Sequence, residues 1–312
     1  MCRKILASVL FSFIVASAYS QPLGFSLADG KKKVQIPIEI YSNLIVVPVL
    51  LNHSLPLKFI LDTGVRTTIL TQKAFTDILN LQYSRKYTIT GAGGVNFIDA
   101  YITNNVSLAL PGVESEGHAM LVLEKDYLEL RNYLGTDVHG ILGYELFSRF
   151  IVDVDYEKKI LTLIVPGKVR KYKSYQSIPI KIEDTKPYLI TTVTLEDGTV
   201  LSAKLLVDSG ASHALLLDPS SDKRISVPDH TLSSLIGRGL GGEIFGKIGR
   251  IKNIQLGEYS MENVVTNFPD PNSYFDSLKV GKIFRNGSMG GDVVDRGRQE
   301  GATRARSASS WG

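Results

Sequence analysis

The sequence predicts a mainly β fold built from two similar lobes. Short β-rich runs bounded by Gly, Asn, Asp and Pro dominate the chain, and one ordered pattern of segments occurs twice. Helical periodicity is confined to residues 71–79 and 145–149. The strand candidates, in chain order, are 34–40, 44–51, 57–61, 150–156, 160–165, 188–195 and 201–207.

The repeated pattern consists of an apolar run that ends in Asp, a hydroxyl residue and Gly, then a glycine-rich turn, then a second glycine segment. The first copy comprises Asp62-Thr63-Gly64, Gly91-Ala92-Gly93-Gly94 and residues 140–145. The second copy comprises Asp208-Ser209-Gly210, residues 237–242 with Gly239 and Gly241, and residues 287–292. Asp62 and Asp208 are 146 residues apart, and Gly143 and Gly290 are 147 apart. This agreement indicates an internal duplication.

The N-terminal 20 residues are typical of a cleaved secretory signal. Arg3 and Lys4 precede a short apolar run, and small residues lead to Gln21, so we expect cleavage near Ser20. An uncleaved anchor is the alternative, although the run is short for a bilayer. The only cysteine, Cys2, lies before the apolar run, so the mature chain would have no disulfide. We therefore expect an exported protein, periplasmic or extracellular and of bacterial origin.

These features predict a division into four parts. We expect a signal peptide at 1–20, a first lobe at 21–170, a second lobe at 171–296 and a low-complexity tail at 297–312. No strand can be predicted after Arg296, which leaves open that the second lobe lacks its closing strands. No further run of about 20 apolar residues occurs, so the mature chain is not expected to span a membrane.

Composition and motifs exclude several classes of function. At 312 residues, with 44% hydrophobic and 21% charged residues, the chain is an ordinary globular protein. Its net charge of +4 arises from interspersed charges, which argues against nucleic-acid binding. No nucleophile-elbow motif is present. No metal and no cofactor is expected, because none of the histidines has the spacing of a zinc site: His53, His118, His139, His213 and His230.

The Asp-hydroxyl-Gly motif places a carboxylate at the end of an apolar strand, where the chain turns sharply. Glycine permits the turn and a close approach of the backbone, and the hydroxyls of Thr63 and Ser209 can hydrogen-bond across to the partner loop. If the two loops face each other, Asp62 and Asp208 repel and share one proton. Such a pair can activate a water molecule without a metal or a covalent nucleophile.

On these motifs the sequence resembles the retropepsin-like and pepsin-like aspartic proteases, and most of all the bacterial single-chain members with both lobes in one polypeptide. The resemblance covers residues 36–292. It implies the acid-protease β-barrel fold for each lobe, and a monomer that is an internal pseudo-dimer. It implies that Asp62 and Asp208 are the catalytic pair, supported by the loop residues Thr63, Gly64, Ser209 and Gly210.

The resemblance also implies a polypeptide substrate. By position, the glycine turns resemble flaps that close over an extended peptide; their residues are Gly91, Gly93, Gly94, Gly239 and Gly241. The implied activity is that of an aspartic endopeptidase.

Some residues depart from the family pattern. Val65 and Arg66 follow the first motif where the family has Ala or Ser; Val65 adds bulk, and Arg66 is expected to be solvated rather than to point at Asp62. We expect His213 to be a packing or surface residue. With the absence of predicted closing strands, Val65 keeps a second interpretation open, that of a non-catalytic peptide-binding module on the same fold.

Overall fold

The structure is a computed structural model that describes residues 24–89, 91–93, 97–167 and 175–271, together with the backbone of three later strands. The expected signal peptide at 1–20 lies outside the described residues. So does the expected boundary between residues 170 and 171.

The described elements are almost all strands. The first half contains β1 (Gly24–Leu27), β2 (Lys33–Pro37), β3 (Glu39–Tyr41), β4 (Leu44–Leu51), β5 (Leu55–Leu61), β6 (Ile69–Leu70), β7 (Tyr83–Ile89), β8 (Ile98–Val106), β9 (Leu108–Ala109), β10 (Val113–Glu116), β11 (His118–Leu123), β12 (Gly140–Leu142), β13 (Ile151–Asp155) and β14 (Ile160–Ile164). The second half contains β15 (Gln176–Glu183), β16 (Lys186–Thr194), β17 (Val200–Val207), β18 (Leu215–Leu216), β19 (Leu232–Gly239), β20 (Gly242–Leu256), β21 (Tyr259–Pro269), β22 (Gly287–Met289), β23 (Val294–Asp295) and β24 (Gly301–Ala305). The helices are short: α1 (Lys73–Ile78), α2 (Leu130–Leu134) and α3 (Tyr144–Phe147).

The mainly β prediction is confirmed. Each predicted strand overlaps an observed one, and the two helical segments become α1 and α3. In β17 the exposed and buried residues first alternate and then give way to three buried residues at its C-terminal end. That change from half-buried to fully buried strand directs the end of β17 into the centre of the molecule.

The two halves repeat one strand order. In the first sheet the order is β4-β5-β12-β6-β11-β8-β7, and in the second it is β16-β17-β22-β18-β21-β20-β19. The same two neighbour pairs are parallel in both sheets: β5 with β12 and β6 with β11 correspond to β17 with β22 and β18 with β21. The duplication read from the sequence is therefore a duplication of topology.

The expectation that no strand follows Arg296 is wrong. β24 pairs antiparallel with β15 and with β23, as β14 pairs with β2 and with β13 in the first half. The segment has no alternating apolar pattern, so side-chain periodicity does not reveal it. Antiparallel pairing uses backbone N–H and C=O groups, which every residue of β24 possesses.

The largest core cluster joins the two halves. It contains buried side chains of the first half, such as Phe59 and Leu61, and also Ile178, Leu189 and Val207 of the second. A second-half cluster around Leu205 and Phe268 lies beside it. None of the helices in the described ranges has the length and apolar character needed to cross a membrane.

Candidate active site

The two strand ends that carry Asp62 and Asp208 meet at the centre of the molecule. Each aspartate follows a strand, β5 or β17, whose last residue is buried: Leu61 is 0% exposed and Val207 is 4% exposed. The backbone N–H of Asp62 donates to the carbonyl of Leu142 in β12 at 2.9 Å. Both aspartates therefore lie where a fully buried strand end enters the centre of the molecule.

Four hydrogen bonds link the two Asp-hydroxyl-Gly loops reciprocally. The hydroxyl of Thr63 donates to the carbonyl of Val207 at 2.6 Å, and the hydroxyl of Ser209 donates to the carbonyl of Leu61 at 2.9 Å. The N–H of Ser209 donates to Thr63 Oγ1 at 3.0 Å, and the N–H of Thr63 donates to Ser209 Oγ at 3.1 Å. Both side chains are buried, so this network of four hydrogen bonds holds the two loops in one register.

The glycine after each hydroxyl residue lies against the carboxylate of the other loop. A Cβ placed on Gly210 would lie 2.3 Å from Cγ of Asp62, and one placed on Gly64 would lie 3.2 Å from Cγ of Asp208. The N–H of Gly64 donates to its own loop's Asp62 Oδ1 at 2.6 Å, and that of Gly210 to Asp208 Oδ1 at 2.9 Å. The structure thus brings Asp62 and Asp208 side by side.

The surroundings of Asp62 disfavour its charge. Burial is the main cause that raises the pKa of Asp62 well above its ordinary value, and the charge of Asp208 raises it further. The hydrogen bond shared with Asp208 acts in the same direction. The N–H of Gly64 and the ammonium of Lys186 oppose these effects. The pair therefore holds one proton at a pH where isolated carboxyls have lost theirs.

The pair lies in a cavity of about 360 Å³ between the two halves. The first half contributes an almost wholly apolar wall, and the second half adds cationic and polar groups to apolar ones. The first-half lining includes Leu44, Ile60, Val65, Ile69, Leu128 and Ile141. The second-half lining includes Lys186, Leu206, His213, Ile236, Arg238 and Ile244.

Two hairpins meet above this cavity. Flap 1 (β7, β8 and their connection) and flap 2 (β19, β20 and their connection) touch at their tips, where the N–H of Gly241 donates to the carbonyl of Ala92 at 2.7 Å. The backbones approach so closely that a Cβ on Gly93 would lie 2.0 Å from the carbonyl oxygen of Gly242, and one on Gly239 would lie 2.2 Å from that of Ala92. Glycine is required at this crossing. Gly94 lies outside the described residues.

Each flap tip packs into the opposite half. Leu240 of flap 2 packs against the first-half cluster that includes Leu44 and Ile60, and Ala92 of flap 1 packs against Leu216 and its neighbours in the second half. Arg238 adds an ion pair across the cleft with Glu129 at 3.2 Å. These exchanged contacts hold the two flap tips together above the cavity.

Comparison with known proteins identifies the family to which this architecture belongs. The sequence pattern of the aspartyl protease family matches residues 47–146 and again residues 191–297, which together exceed half of the chain. The chain belongs to the aspartyl protease family. Each half carries one match, so both lobes of this aspartyl protease are family units.

The solved structures similar to this chain include a bacterial protease and a plant globulin. A retropepsin-like aspartic protease from Rickettsia conorii is 21% identical, with 46% of this chain and 95% of that chain covered and a TM-score of 0.29. Basic 7S globulin from soybean is 9% identical, with 87% of this chain and 94% of that chain covered and a TM-score of 0.46. No match was found among curated proteins.

The residues that depart from the family pattern have clear locations in this aspartyl protease. Arg66 is exposed and forms an ion pair with Asp184 at 3.5 Å, as expected for a solvated cation. Val65 packs against the first-lobe cluster, and its carbonyl accepts the N–H of Tyr144 at 2.9 Å. His213 lines the cavity, and burial lowers the pKa of its imidazole. The Val65 side chain therefore joins the core of its lobe beside the pair.

Sequence reasoning missed Lys186 and Leu240. Lys186 lines the cavity and its charge acts on Asp62, while Leu240 crosses the cleft. An alignment of the two lobes could have found Lys186, because it occupies the place that Leu44 has in the first lobe. Nothing in the sequence signals the contact of Leu240 with the other lobe. Within the residues that the structure describes, no group of three or more His, Cys, Asp or Glu side chains could hold a metal.

Proposed function

We propose that this aspartyl protease is an endopeptidase that hydrolyses peptide bonds in extended polypeptide segments, with Asp62 and Asp208 as its catalytic pair. The observation that carries the proposal is the reciprocal contact of the two loops, in which each glycine lies against the opposite carboxylate. Only a substrate that threads between the flaps and the pair can reach both carboxylates, which favours an extended peptide.

The chemistry follows from one proton shared by two carboxyl groups. The ionised carboxylate accepts a proton from a bound water, and the water oxygen attacks the carbonyl carbon of the scissile bond. The protonated carboxyl donates to the carbonyl oxygen, which gives a tetrahedral diol. The C–N bond then breaks as the amine takes a proton from the pair, and one hydroxyl of the diol returns a proton to the pair as the C=O bond re-forms. The products are a carboxylic acid and an amine, and the pair returns with its single proton.

Digestion of a peptide library at mildly acidic and neutral pH tests the proposal, with products mapped by mass spectrometry. Wild type should cleave within peptides, and Asp62→Asn and Asp208→Asn should each lower kcat by about 10³-fold or more, since each removes half of the acid–base pair. Asp218→Asn, a change outside the cavity lining, is the matched control. Equal cleavage by wild type and both cleft variants would overturn the proposal.

Binding without cleavage would instead favour the alternative, a non-catalytic peptide-binding module on this fold. The same library, presented to the wild type and analysed for peptides retained but intact, detects this outcome.

Hydroxylamine added during digestion should yield no hydroxamate, because the proposed mechanism has no acyl-enzyme intermediate.

We also propose that the protein is exported from a bacterial cell, to the periplasm or beyond, and acts as a monomer. The basic start, apolar run and small residues of positions 1–20 support export. N-terminal sequencing of the protein recovered from cell fractions should give Gln21 as the first residue outside the cytoplasm. An intact N-terminus in the cytoplasmic fraction would refute export.

A further inference from the structure

A buried polar cluster lies behind the Asp62 loop. It consists of the hydroxyl of Thr68, the carboxylate of Glu145 and the imidazole of His118. Thr68 Oγ1 donates to Glu145 Oε2 at 2.9 Å, and His118 Nδ1 lies 3.3 Å from the same oxygen. Thr68 and His118 are both buried. None of the three residues lines the cavity, so the cluster does not contact a substrate bound there.

The cluster holds the end of the first Asp-hydroxyl-Gly loop, residues 62–68, which connects β5 and β6. The carbonyl of Val65, in the middle of this loop, accepts the N–H of Tyr144 at 2.9 Å. Thr68, at its end, donates to Glu145. Tyr144 and Glu145 are the first two residues of α3. The first turn of α3 therefore holds the loop at two points.

His118 holds the carboxylate of Glu145 from β11. Its imidazole packs against the ring of Phe25 in β1, with the ring centroids 4.6 Å apart. Its second nitrogen, Nε2, is buried and has no hydrogen-bond partner among the described residues. Nδ1 is thus the nitrogen that makes a polar contact, and a buried imidazole without such a contact is costly. Packing and this contact together fix the position of Glu145.

The Asp208 loop is not held in the same way. With the 146-residue offset that relates Asp62 to Asp208, Thr68 corresponds to Ala214. Thr68 directly precedes β6, and Ala214 directly precedes β18, so the two positions are also equivalent in the fold. Alanine has no hydroxyl to donate. The cluster therefore supports only the Asp62 side of the pair.

We propose that Glu145 is a positioning residue for catalysis, which together with His118 holds the Asp62 loop in place through Thr68. This inference rests on the proposed endopeptidase function. Loss of the cluster displaces one carboxylate and leaves the substrate-binding walls unchanged. The rate constant kcat should therefore fall while KM stays close to its wild-type value. A role in folding alone would lower the melting temperature without this selective loss.

Steady-state kinetics on one peptide substrate test the inference, with melting temperature as a check of folding. Thr68→Val and Glu145→Leu each break the contact at nearly constant size, and His118→Leu removes the nitrogen that faces Glu145. We expect kcat to fall by about tenfold in the first two variants and in the same direction in the third. This is less than the roughly 10²-fold cost of a displacement of about 1 Å, because hydrogen bonds of Thr63 and Gly64 still hold the start of the loop.

Two conservative variants and one control complete the series. Thr68→Ser keeps the hydroxyl and Glu145→Gln keeps an acceptor oxygen, so both should keep most of the wild-type kcat. Thr162→Val replaces a buried threonine of β14, outside the loop and the cavity lining, and should leave kcat unchanged. Thr68→Val combined with Glu145→Leu should lose about tenfold and not about hundredfold, because both changes break one contact.

Three results would overturn the inference while the endopeptidase function stood. The first is a lower melting temperature with unchanged kcat in Thr68→Val, the variant that decides the matter if Glu145→Leu does not fold. The second is a loss in the double variant equal to the product of the single losses. The third is a loss in Thr68→Ser as large as that in Thr68→Val. Cleavage of no peptide by wild type would instead refute the proposed function itself.

Discussion

At the scale of single residues, the site depends on the absence of a side chain at the two loop glycines, Gly64 and Gly210. Neither Gly64 nor Gly210 has a positive φ angle, so backbone conformation alone does not require glycine there. The requirement comes from the opposing carboxylate, which fills the space that a side chain would take. The distance between an added Cβ and the nearest carboxylate atom differs between the two glycines, and this asymmetry can be tested.

Gly210→Ala should damage activity far more than Gly64→Ala. The new Cβ would lie 2.3 Å from Cγ and Oδ2 of Asp62, so this carboxylate must move, whereas at Gly64 the nearest atom, Asp62 Oδ1, is 3.1 Å away. We expect kcat to fall by about 10²-fold for Gly210→Ala, the loss typical of a misplaced catalytic group. Steady-state kinetics on one peptide substrate measure this, with melting temperature as a check of folding. Equal losses in the two variants would contradict the argument.

Asp62→Asn should make the protein more stable at neutral pH. Burial and Asp208 raise the pKa of Asp62 in the folded state, so the folded protein binds this proton more tightly than the unfolded chain. The resulting stabilisation is full below the ordinary Asp pKa of about 3.9 and is lost as pH rises through the raised folded value. Asparagine removes this loss and keeps an oxygen for the N–H of Gly64.

Thermal melts from about pH 3 to about pH 8 check this prediction, with the difference between variant and wild type growing as pH rises. Asp222→Asn is the control of opposite sign. Arg224 lowers the pKa of Asp222 to about 2, so that carboxylate stabilises the fold at neutral pH and loses its effect as pH falls toward that value. A difference between Asp62→Asn and wild type that stays constant with pH would refute the assignment.

At the scale of elements, two repeated sheets are joined through the ends of β5 and β17. The loops that follow these strands exchange four hydrogen bonds, and the turns before β4 and β16 each contact the opposite loop. The positions of the two aspartates therefore depend mainly on the four buried loop-to-loop hydrogen bonds, whereas the two turn contacts are exposed to solvent. Such contacts are costly to leave incomplete.

Thr63→Val should destabilise the fold, and Thr63→Ser should restore most of the loss. Valine has the shape of threonine but leaves the carbonyl of Val207 and the N–H of Ser209 without their partner. Each unsatisfied buried group costs about 1–3 kcal/mol. Serine keeps the hydroxyl and loses only a methyl group. Urea unfolding gives the two free energies, and a serine variant as unstable as the valine variant would show that packing, and not hydrogen bonding, holds the loops.

At the scale of the whole molecule, one core runs through both lobes. Leu189 and Val207 of the second lobe belong to the same buried cluster as Phe59 and Leu61 of the first. The exchanged flap tips add a second connection above the cavity. Each lobe also has a buried cluster of its own, yet the largest cluster takes side chains from both lobes.

The two lobes should therefore unfold in one transition. Calorimetry should give a ratio of calorimetric to van't Hoff enthalpy of about 1. Leu189→Ala, in the shared cluster, and Leu201→Ala, in the second-lobe cluster, should each shift that single transition downward, since each costs about 2–5 kcal/mol. If Leu201→Ala moved only one of two resolved transitions, the lobes would be independent units.

The sequence by itself determined the β architecture, the duplication and the pair of aspartates at matching strand ends. Burial on one face imposes a period of two along a strand, and a duplicated gene segment keeps its spacing; both signals are local in the chain or repeat at a fixed interval. Several predictions remain untested, namely the catalytic role of Asp62 and Asp208, the signal peptide and the monomeric state.

Only the tertiary structure decided the rest. The crossing of the flap tips through Leu240 and Ala92, the position of Lys186 beside Asp62 and the closing strands β23 and β24 follow from contacts between distant segments. Backbone pairing of β24 needs no apolar pattern, and the electrostatic effect of a lysine depends on which charge lies near it in space. Neither property can be predicted from the order of neighbouring residues in the chain.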